Sequence, residues 1–206
     1  MVEQILRDPR QKASYTSMEA GTKEEYLKEL EIAKPFRART AERVLEQLSL
    51  LHFGFPGGQV DRYEHSLQTA TRAFRDGQDE EIIVAALLHD LGDRLAPDNH
   101  PEVAAAVVKP YVSWQTHWVV LQHGLFQGYY YFHHYGKNRN ERDKFRGHPA
   151  YQTCVDFCAK YDQVSNDPNF DTMPLSAFIP MVQRVFSREP WGAITKAPME
   201  SERAGA

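Results

Sequence analysis

The hydrophobic positions of this chain recur at helical spacing, and no segment keeps the alternation of apolar and polar residues that is typical of a half-buried strand. Amphipathic helices are predicted over 62–75, from residue 150 to about 163, and over roughly 175–186. The run EEIIVAALLHD is apolar over nearly its whole length, which indicates a helix buried in the core. We therefore predict an all-α, single-domain helical bundle.

Glycine, proline and capping residues set the predicted helix ends. Thr22 and Glu25 have capping-box spacing, so a helix should begin there, and Pro35 should end or kink it. Gly92 should break the core helix after His89–Asp90, and a later helix should close at His123, just before Gly124. These boundaries give three predicted regions: an N-terminal extension (1–21), a metal-binding domain (22–189) and a flexible C-terminal tail (190–206).

Composition restricts the class of partner. The 206 residues fit one domain with a sizeable core, and the net charge of −4 argues against a protein that binds nucleic acid or an anionic membrane. No apolar run reaches the roughly 18 residues of a membrane span, and the first residues lack the apolar core of a signal peptide. We expect a soluble cytoplasmic protein with a small-molecule partner, in which Cys154 and Cys158 are reduced core residues.

Six possible metal ligands lie at or near predicted helix ends: His65, His89, Asp90, His100, His123 and Asp162. Helix ends can converge on one rim of a bundle, and buried imidazoles and carboxylates cost free energy unless they are bonded or coordinate a cation. The set is too large for one tetrahedral zinc ion and suits two cations about 3.5 to 4 Å apart, bridged by a carboxylate. Imidazole-rich ligation favours iron, manganese, zinc or nickel over magnesium.

These residues resemble the motif of the HD-domain metalloprotein superfamily, over about residues 60–165. The segment HPEVAAAVVKPYVSWQTHWVVLQHG looks most like the mixed-valent diiron oxygenases, which include organophosphonate-cleaving oxygenases and, more distantly, myo-inositol oxygenase. The resemblance implies two iron ions (Fe2+/Fe3+) bridged by Asp90, with the other five residues as terminal ligands. Manganese or zinc is the alternative, because dinuclear HD phosphodiesterases and nucleotide hydrolases have similar ligand sets.

The chain departs from these families at positions near the metals. Asp93 stands where many HD hydrolases have lysine and the phosphonate oxygenases a basic residue, and Gln127 stands where the latter have lysine. Phe55 and Gly58 are nearest to the positions of their tyrosine and glutamate lid. We expect the acidic Asp93 to bind a hydroxyl or an amine, and we predict a catalytic role for it beside Asp90.

Candidate substrate contacts come from the helix of His65 and from the region after His123. Gln68 shares a helix face with His65. The aromatic run 129–132 is typical of a core, with a cation-binding cage at the mouth of a pocket as the alternative. The basic loop 137–146 is either solvated or an anion-capturing lid. The glycine-rich segment HFGFPGGQ is a second lid candidate. The predicted substrate-binding residues are Gln68, Gln127, His133 and Arg139.

Three hypotheses of function follow. The first is an oxygenase that uses dioxygen to oxidise or cleave a small hydroxylated or amino-bearing substrate, with organophosphonates among the candidates. By the resemblance, the ion of His65, His89, Asp90 and Asp162 would hold the substrate, and the ion of His100 and His123 would bind dioxygen. The second hypothesis is a metal-dependent phosphohydrolase, and the third is a metal-stabilised binding module.

Overall fold

The computed structural model describes residues 12–54 and 56–196, and these residues form helices and no β-strand, which confirms the predicted all-α bundle. No helix in these ranges combines the length and hydrophobicity needed to cross a membrane. The α-helices are α1 (Lys23–Ala38), α2 (Thr40–Ser49), α3 (Arg62–Arg75), α4 (Glu80–Leu88), α5 (His100–Val108), α6 (Trp114–Tyr131), α7 (Tyr151–Phe157) and α8 (Leu175–Phe186).

The chain divides into two compact units, residues up to Val44 and residues from Leu45 on. In the first unit, α1 begins with the predicted capping box between Thr22 and Glu25. The helix runs past Pro35 to Ala38, so the proline does not end it. Proline removes one backbone donor, and the carbonyl left without it lies on the exposed side of α1, where water can bind it. The predicted limits 1–21, 22–189 and 190–206 stay predictions, and residues 197–206 lie outside the described ranges.

Helix α4 is the core of the second unit. Its residues from Glu81 to Leu88 are all buried, and it packs against α3, α6 and α8. Each large aliphatic side chain buried here contributes roughly 1.5 to 3 kcal/mol. The short connection from α3 passes through Gly77, whose φ of 72° is the left-handed conformation that glycine adopts without a steric penalty. That turn lets α4 pack back against α3 and brings its C-terminal end beside the α3 histidine.

Helix α6 is longer than the sequence predicts. It continues through Gly124 to Tyr131, so the predicted end at His123 is wrong. Gly124 does not end the helix and instead allows α5 and α6 to pack closely, because a Cβ atom there would lie 3.1 Å from Cγ of Pro101 in α5. His123 is therefore in the middle of a helix, and Gln127 lies one turn later on the same face.

Helix α7 passes directly into a π-helical turn, Cys158–Asp162. This wider turn packs against α3 and α6 and ends on the buried Asp162. Cys154 and Cys158 are buried free thiols, as predicted. Single π turns are frequent at functional sites.

Candidate metal centre

The HD doublet lies in the turn that follows α4, at the buried end of the core helix. His89 is fully buried and Asp90 is 3% exposed. Around them, α3 supplies His65, the first residue of α5 is His100, α6 supplies His123, and the π turn ends on Asp162. The structure thus brings the six predicted metal ligands together, although His123 comes from a helix interior.

The four histidines are held in the same way. In each ring Nδ1 donates a hydrogen bond to a backbone carbonyl, which requires the proton on Nδ1 and leaves a lone pair on Nε2. All four Nε2 atoms point toward the carboxylates of the centre. The donor–acceptor distances are 2.8 Å for His65 to Ser165, 2.8 Å for His89 to Ala86, 3.1 Å for His100 to Pro97, and 2.7 Å for His123 to Val120.

The two oxygens of Asp90 face different pairs of imidazoles. Oδ1 lies 3.2 Å from Nε2 of His100 and 3.3 Å from Nε2 of His123. Oδ2 lies 3.6 Å from Nε2 of both His65 and His89. A carboxylate placed between two sets of nitrogen ligands in this way can bridge two cations.

Asp162 completes the His65–His89 side of the centre. Its Oδ1 lies 3.1 Å from Nε2 of His65 and accepts a hydrogen bond of 2.7 Å from Nε2 of Gln127. Its Oδ2 is buried and has no hydrogen-bond partner among the described residues. A buried carboxylate oxygen without a partner costs free energy, and coordination to a cation would remove that cost.

The Nε2 lone pairs of the histidines are also placed where they could bind cations. Nε2 of His65 and Nε2 of His89 are 3.2 Å apart, and two lone pairs at this distance repel each other unless a positive charge lies between them. Two sets have ligand atoms that lie within 4.8 Å of one another: His65, His89 and Asp162, and His89, Asp90 and His123. His100 can add a ligand to the second set, because its Nε2 lies 3.2 Å from Oδ1 of Asp90. Imidazole nitrogen with carboxylate oxygen suits first-row transition metals.

Without metal, the centre attracts protons instead. Burial lowers the pKa of His89, but the carboxylates of Asp90 and Asp162 outweigh burial and raise that pKa to about 9. Burial raises the pKa of Asp162, but His89 and His65 more than offset this and hold it below its ordinary value. The metal-free centre therefore binds a positive charge in the place where a cation would bind.

This proton makes the stability of the metal-free protein depend on pH. Because the pKa of His89 is raised from 6.5 to about 9, its contribution is complete below pH 6.5 and is lost as the pH rises through 9. The loss is on the order of 3 kcal/mol, or several degrees in Tm. A bound metal ion replaces the proton, so we expect added Mn2+ to raise Tm more at pH 9 than at pH 6.5. Thermal melts with EDTA or Mn2+ check this, and equal shifts at both pH values would contradict it.

Two clefts open next to the centre, and Arg62 lines both. The tyrosine cleft has a volume of about 390 Å³ and is lined by Arg62, His65, Gln127, Tyr130, Tyr131, Tyr135, Gln163 and Asn166. The Asp93 cleft has a volume of about 510 Å³ and is lined by Phe53, Gly54, Arg62, Asp93, Arg94 and Pro97. A small molecule in either cleft would lie beside the guanidinium of Arg62.

The four predicted substrate-binding residues do not lie together in the structure. Gln127 lines the tyrosine cleft. Gln68 is fully buried and donates to the Asp167 carbonyl at 2.7 Å. His133 is exposed, with its ring centroid 4.0 Å from that of His134, and Arg139 lies over the Tyr129 ring. The last three do not line either cleft in the described part of the chain, and the substrate contacts of all four stay predictions. Phe55, at the lid position, lies outside the described residues.

Sequence reasoning did not single out Arg62 and Tyr131. Arg62 precedes His65 by three residues on α3, a spacing that places both on one helix face and could have identified it. Tyr131 lines the tyrosine cleft from the end of α6. The sequence allows the aromatic run 129–132 to be core or the mouth of a pocket, so no single residue of the run stands out.

Comparisons with known proteins agree with this geometry. Residues 62–151 match the family model of the HD domain. A segment of 36 residues is 61% identical to part of [1-hydroxy-2-(trimethylamino)ethyl]phosphonate dioxygenase (glycine-betaine-forming) from Leisingera caerulea. The aligned segment covers 18% of this chain and 18% of that protein's length. The match over 62–151 includes five of the six ligands that converge on one centre. Residues 62–151 of this chain form an HD domain.

Proposed function

We propose that this chain is a non-haem diiron oxygenase that uses dioxygen to oxidise or cleave a small substrate bearing a hydroxyl or amino group. The observation that carries the proposal is the placement of Asp90, whose two oxygens face different pairs of histidines. The name of the partial relative, a phosphonate dioxygenase, supports oxygen chemistry and places organophosphonates among the substrates to test.

The two ions would have unequal numbers of protein ligands. His65, His89, Asp90 and Asp162 would hold one ion, and Asp90, His100 and His123 would hold the other. Fewer protein ligands leave more coordination positions for small molecules, and the His100 side chain is 20% exposed while the other ligands are almost fully buried. This favours substrate binding at the ion of His100 and His123. The resemblance implies the opposite, with substrate at the ion of His65, His89, Asp90 and Asp162. When bound, the irons supply electron transfer and dioxygen binding.

The remaining residues orient the ligands and limit access of water. The four backbone carbonyls fix the imidazole tautomers, and Gln127 holds Asp162 in place by its hydrogen bond. The burial of His65, His89 and His123 excludes bulk water from the inner side of the centre. Small molecules would therefore reach the centre from the clefts lined by Arg62.

Spectroscopy and oxygen uptake test the oxygenase. Protein loaded with iron and exposed to air is expected to give the EPR signal of a mixed-valent iron pair. It should consume dioxygen when given its substrate, with [1-hydroxy-2-(trimethylamino)ethyl]phosphonate as the first compound to try and small hydroxy and amino compounds following. Protein loaded with manganese is the matched control and should show no such uptake. A stoichiometric iron protein without an EPR signal under these conditions would contradict a mixed-valent pair.

The alternative is a metal-dependent phosphohydrolase. It is favoured by Arg62, whose guanidinium nitrogen lies 3.4 Å from Oδ2 of Asp90, where it could hold a phosphoryl group next to the metals. In that case manganese-loaded protein would hydrolyse bis-p-nitrophenyl phosphate, and iron-loaded protein would show neither the EPR signal nor oxygen uptake. Hydrolysis by the manganese form, together with an iron form that gives neither the EPR signal nor oxygen uptake, would favour the phosphohydrolase over the oxygenase.

A further inference from the structure

The imidazole of His65 differs from the other three in the origin of its backbone acceptor. His89, His100 and His123 each donate from Nδ1 to the carbonyl three residues earlier in the chain. His65 donates to the carbonyl of the buried Ser165, which lies 100 residues later. A carbonyl from the preceding turn is placed by the local backbone, whereas a carbonyl from a distant segment is in place only if other contacts hold that segment.

The distant carbonyl belongs to residues 164–167, which we call the carbonyl strap. Ser165 is tied back to the end of the π turn, because its backbone N–H donates to the Asp162 carbonyl at 3.0 Å and its hydroxyl donates to the Tyr161 carbonyl. The strap is therefore coupled to two ligands of the centre, since it bonds His65 and closely follows Asp162. A shift of the strap would displace both ligands.

Two further side chains of α3 hold the carbonyl strap. Gln68 is fully buried, and its Nε2 donates to the Asp167 carbonyl at 2.7 Å. Arg72 donates to the Val164 carbonyl at 3.0 Å, and its guanidinium carbon lies 3.9 Å from the centroid of the Phe170 ring. Together with the site histidine, three residues on one face of α3 thus donate to three carbonyls of the strap.

The amide of Gln68 is placed for this contact and not for a ligand. It is fully buried and lines neither of the two clefts. Its Oε1 is buried and has no hydrogen-bond partner among the described residues, which costs free energy. A methionine of similar size would fill the same space without that cost. The hydrogen bond to the carbonyl strap is therefore what the buried amide adds.

We propose that Gln68 and Arg72 are positioning residues of the metal centre. By holding the carbonyl strap they keep the Ser165 acceptor against Nδ1 of His65, which leaves the Nε2 lone pair of that ring free for a cation. This role takes the place of the substrate contact expected of Gln68 from the sequence. It goes beyond the proposed function, because residues outside the ligand set would control the affinity of one cation position. It rests on the dinuclear centre of that proposal and is independent of the reaction with dioxygen.

Removal of the Gln68 amide in two backgrounds tests this role at one cation position at a time. Mn2+ is the probe, and its Kd is measured by isothermal titration calorimetry without turnover. In the His100→Ala background, which removes a ligand of the other ion, Gln68→Met should weaken Mn2+ binding about ten- to one-hundredfold. In the His65→Ala background, where the His65 side has lost its own ligand, Gln68→Met should leave the Kd of the remaining ion unchanged.

Thr71→Val is the matched control. Thr71 is buried on the same helix and accepts a hydrogen bond of 3.0 Å from the backbone N–H of Met173, beyond the carbonyl strap. Its replacement removes a buried hydrogen bond without touching the strap, so Tm should fall while the Kd of Mn2+ in the His100→Ala background stays unchanged. Arg72→Lys keeps a donor for the Val164 carbonyl and should weaken Mn2+ binding less than Arg72→Met.

Several results would overturn the positioning role. Equal weakening by Gln68→Met in both backgrounds would mean a general loss of structure, and an unchanged Kd in the His100→Ala background would mean that Gln68 does not act on the centre. Equal weakening by Thr71→Val, or no Mn2+ binding in either background, would also contradict it. Thermal melts accompany each titration, and Arg72→Met, at a half-buried position, provides the same comparison if Gln68→Met does not fold.

The titrations and the oxygen assay can fail separately. A Gln68→Met effect confined to the His100→Ala background, in a protein with neither oxygen uptake nor a mixed-valent EPR signal, would support the positioning role and contradict the oxygenase. Oxygen uptake by the wild type, with a Gln68→Met effect of equal size in both backgrounds, would support the oxygenase and overturn the positioning role.

Discussion

Asp90→Ala is expected to empty both cation positions at once and to reduce activity to background. Each Asp90 oxygen faces a different pair of histidines, so its removal takes a ligand from both ions. His100→Ala is expected to remove one ion and leave the other, because among the described residues the carboxylate oxygen that His100 approaches is Oδ1 of Asp90. Elemental analysis of the purified variants after iron loading gives the ion content directly.

The control is Asp98→Ala, which removes an exposed carboxylate from the loop that leads to His100 and should keep both ions. Thermal melts distinguish loss of metal from loss of fold. Equal metal content in Asp90→Ala and His100→Ala would show that Asp90 is not a bridge, and the dinuclear centre would have to be abandoned.

Gly92→Ala is expected to be the most damaging change outside the ligand set. A Cβ atom at this position would lie 2.6 Å from Cβ of Val103 and 2.7 Å from the backbone oxygen of His100. Because a backbone cannot move aside as a flexible side chain can, the start of α5 must shift and take His100 with it. We expect a loss of stability of about 1 to 3 kcal/mol and loss of the ion on the His100–His123 side.

Gly147→Ala is the matched control, because a Cβ atom there meets nothing within 4 Å and the backbone is not in a left-handed conformation. It should keep the wild-type Tm and both ions. Metal analysis and thermal melts of the two variants measure the difference. A Gly92→Ala protein with full metal content would mean that the His100 segment adapts without leaving the centre.

Periodicity was sufficient for several helices. The bounds of α3 and α8 agree with the predicted 62–75 and 175–186, because both helices have one apolar face. The convergence of the six ligands was also predictable, since the HD doublet ends an almost wholly apolar helix, where unpaired polar groups are costly. The helix bounds depend on local sequence and on burial alone, whereas the convergence of the ligands follows from the whole motif.

Other features depend on contacts between distant segments. Gly92 and Gly124 both read as helix breakers, but each is small because another helix or loop approaches its backbone closely. The carboxylate of Asp93, in the turn after α4, faces Arg62, which α3 supplies. A contact of Asp93 with substrate stays a prediction. A single sequence does not record such pairings, because no local pattern distinguishes a glycine that ends a helix from one that allows close packing.

The π turn at Cys158–Asp162 has a consequence for how this centre can be gained or lost. Each residue of an α-helix advances about 100° around the axis, and a π turn takes about one more residue for the same rotation, so this turn absorbs an extra residue while the helix on either side keeps its direction. With regular winding in its place, the same residue would rotate the carboxylate of Asp162 by about 100°, away from His65 and His89. The width of one turn thus decides whether the carboxylate that follows it belongs to the centre.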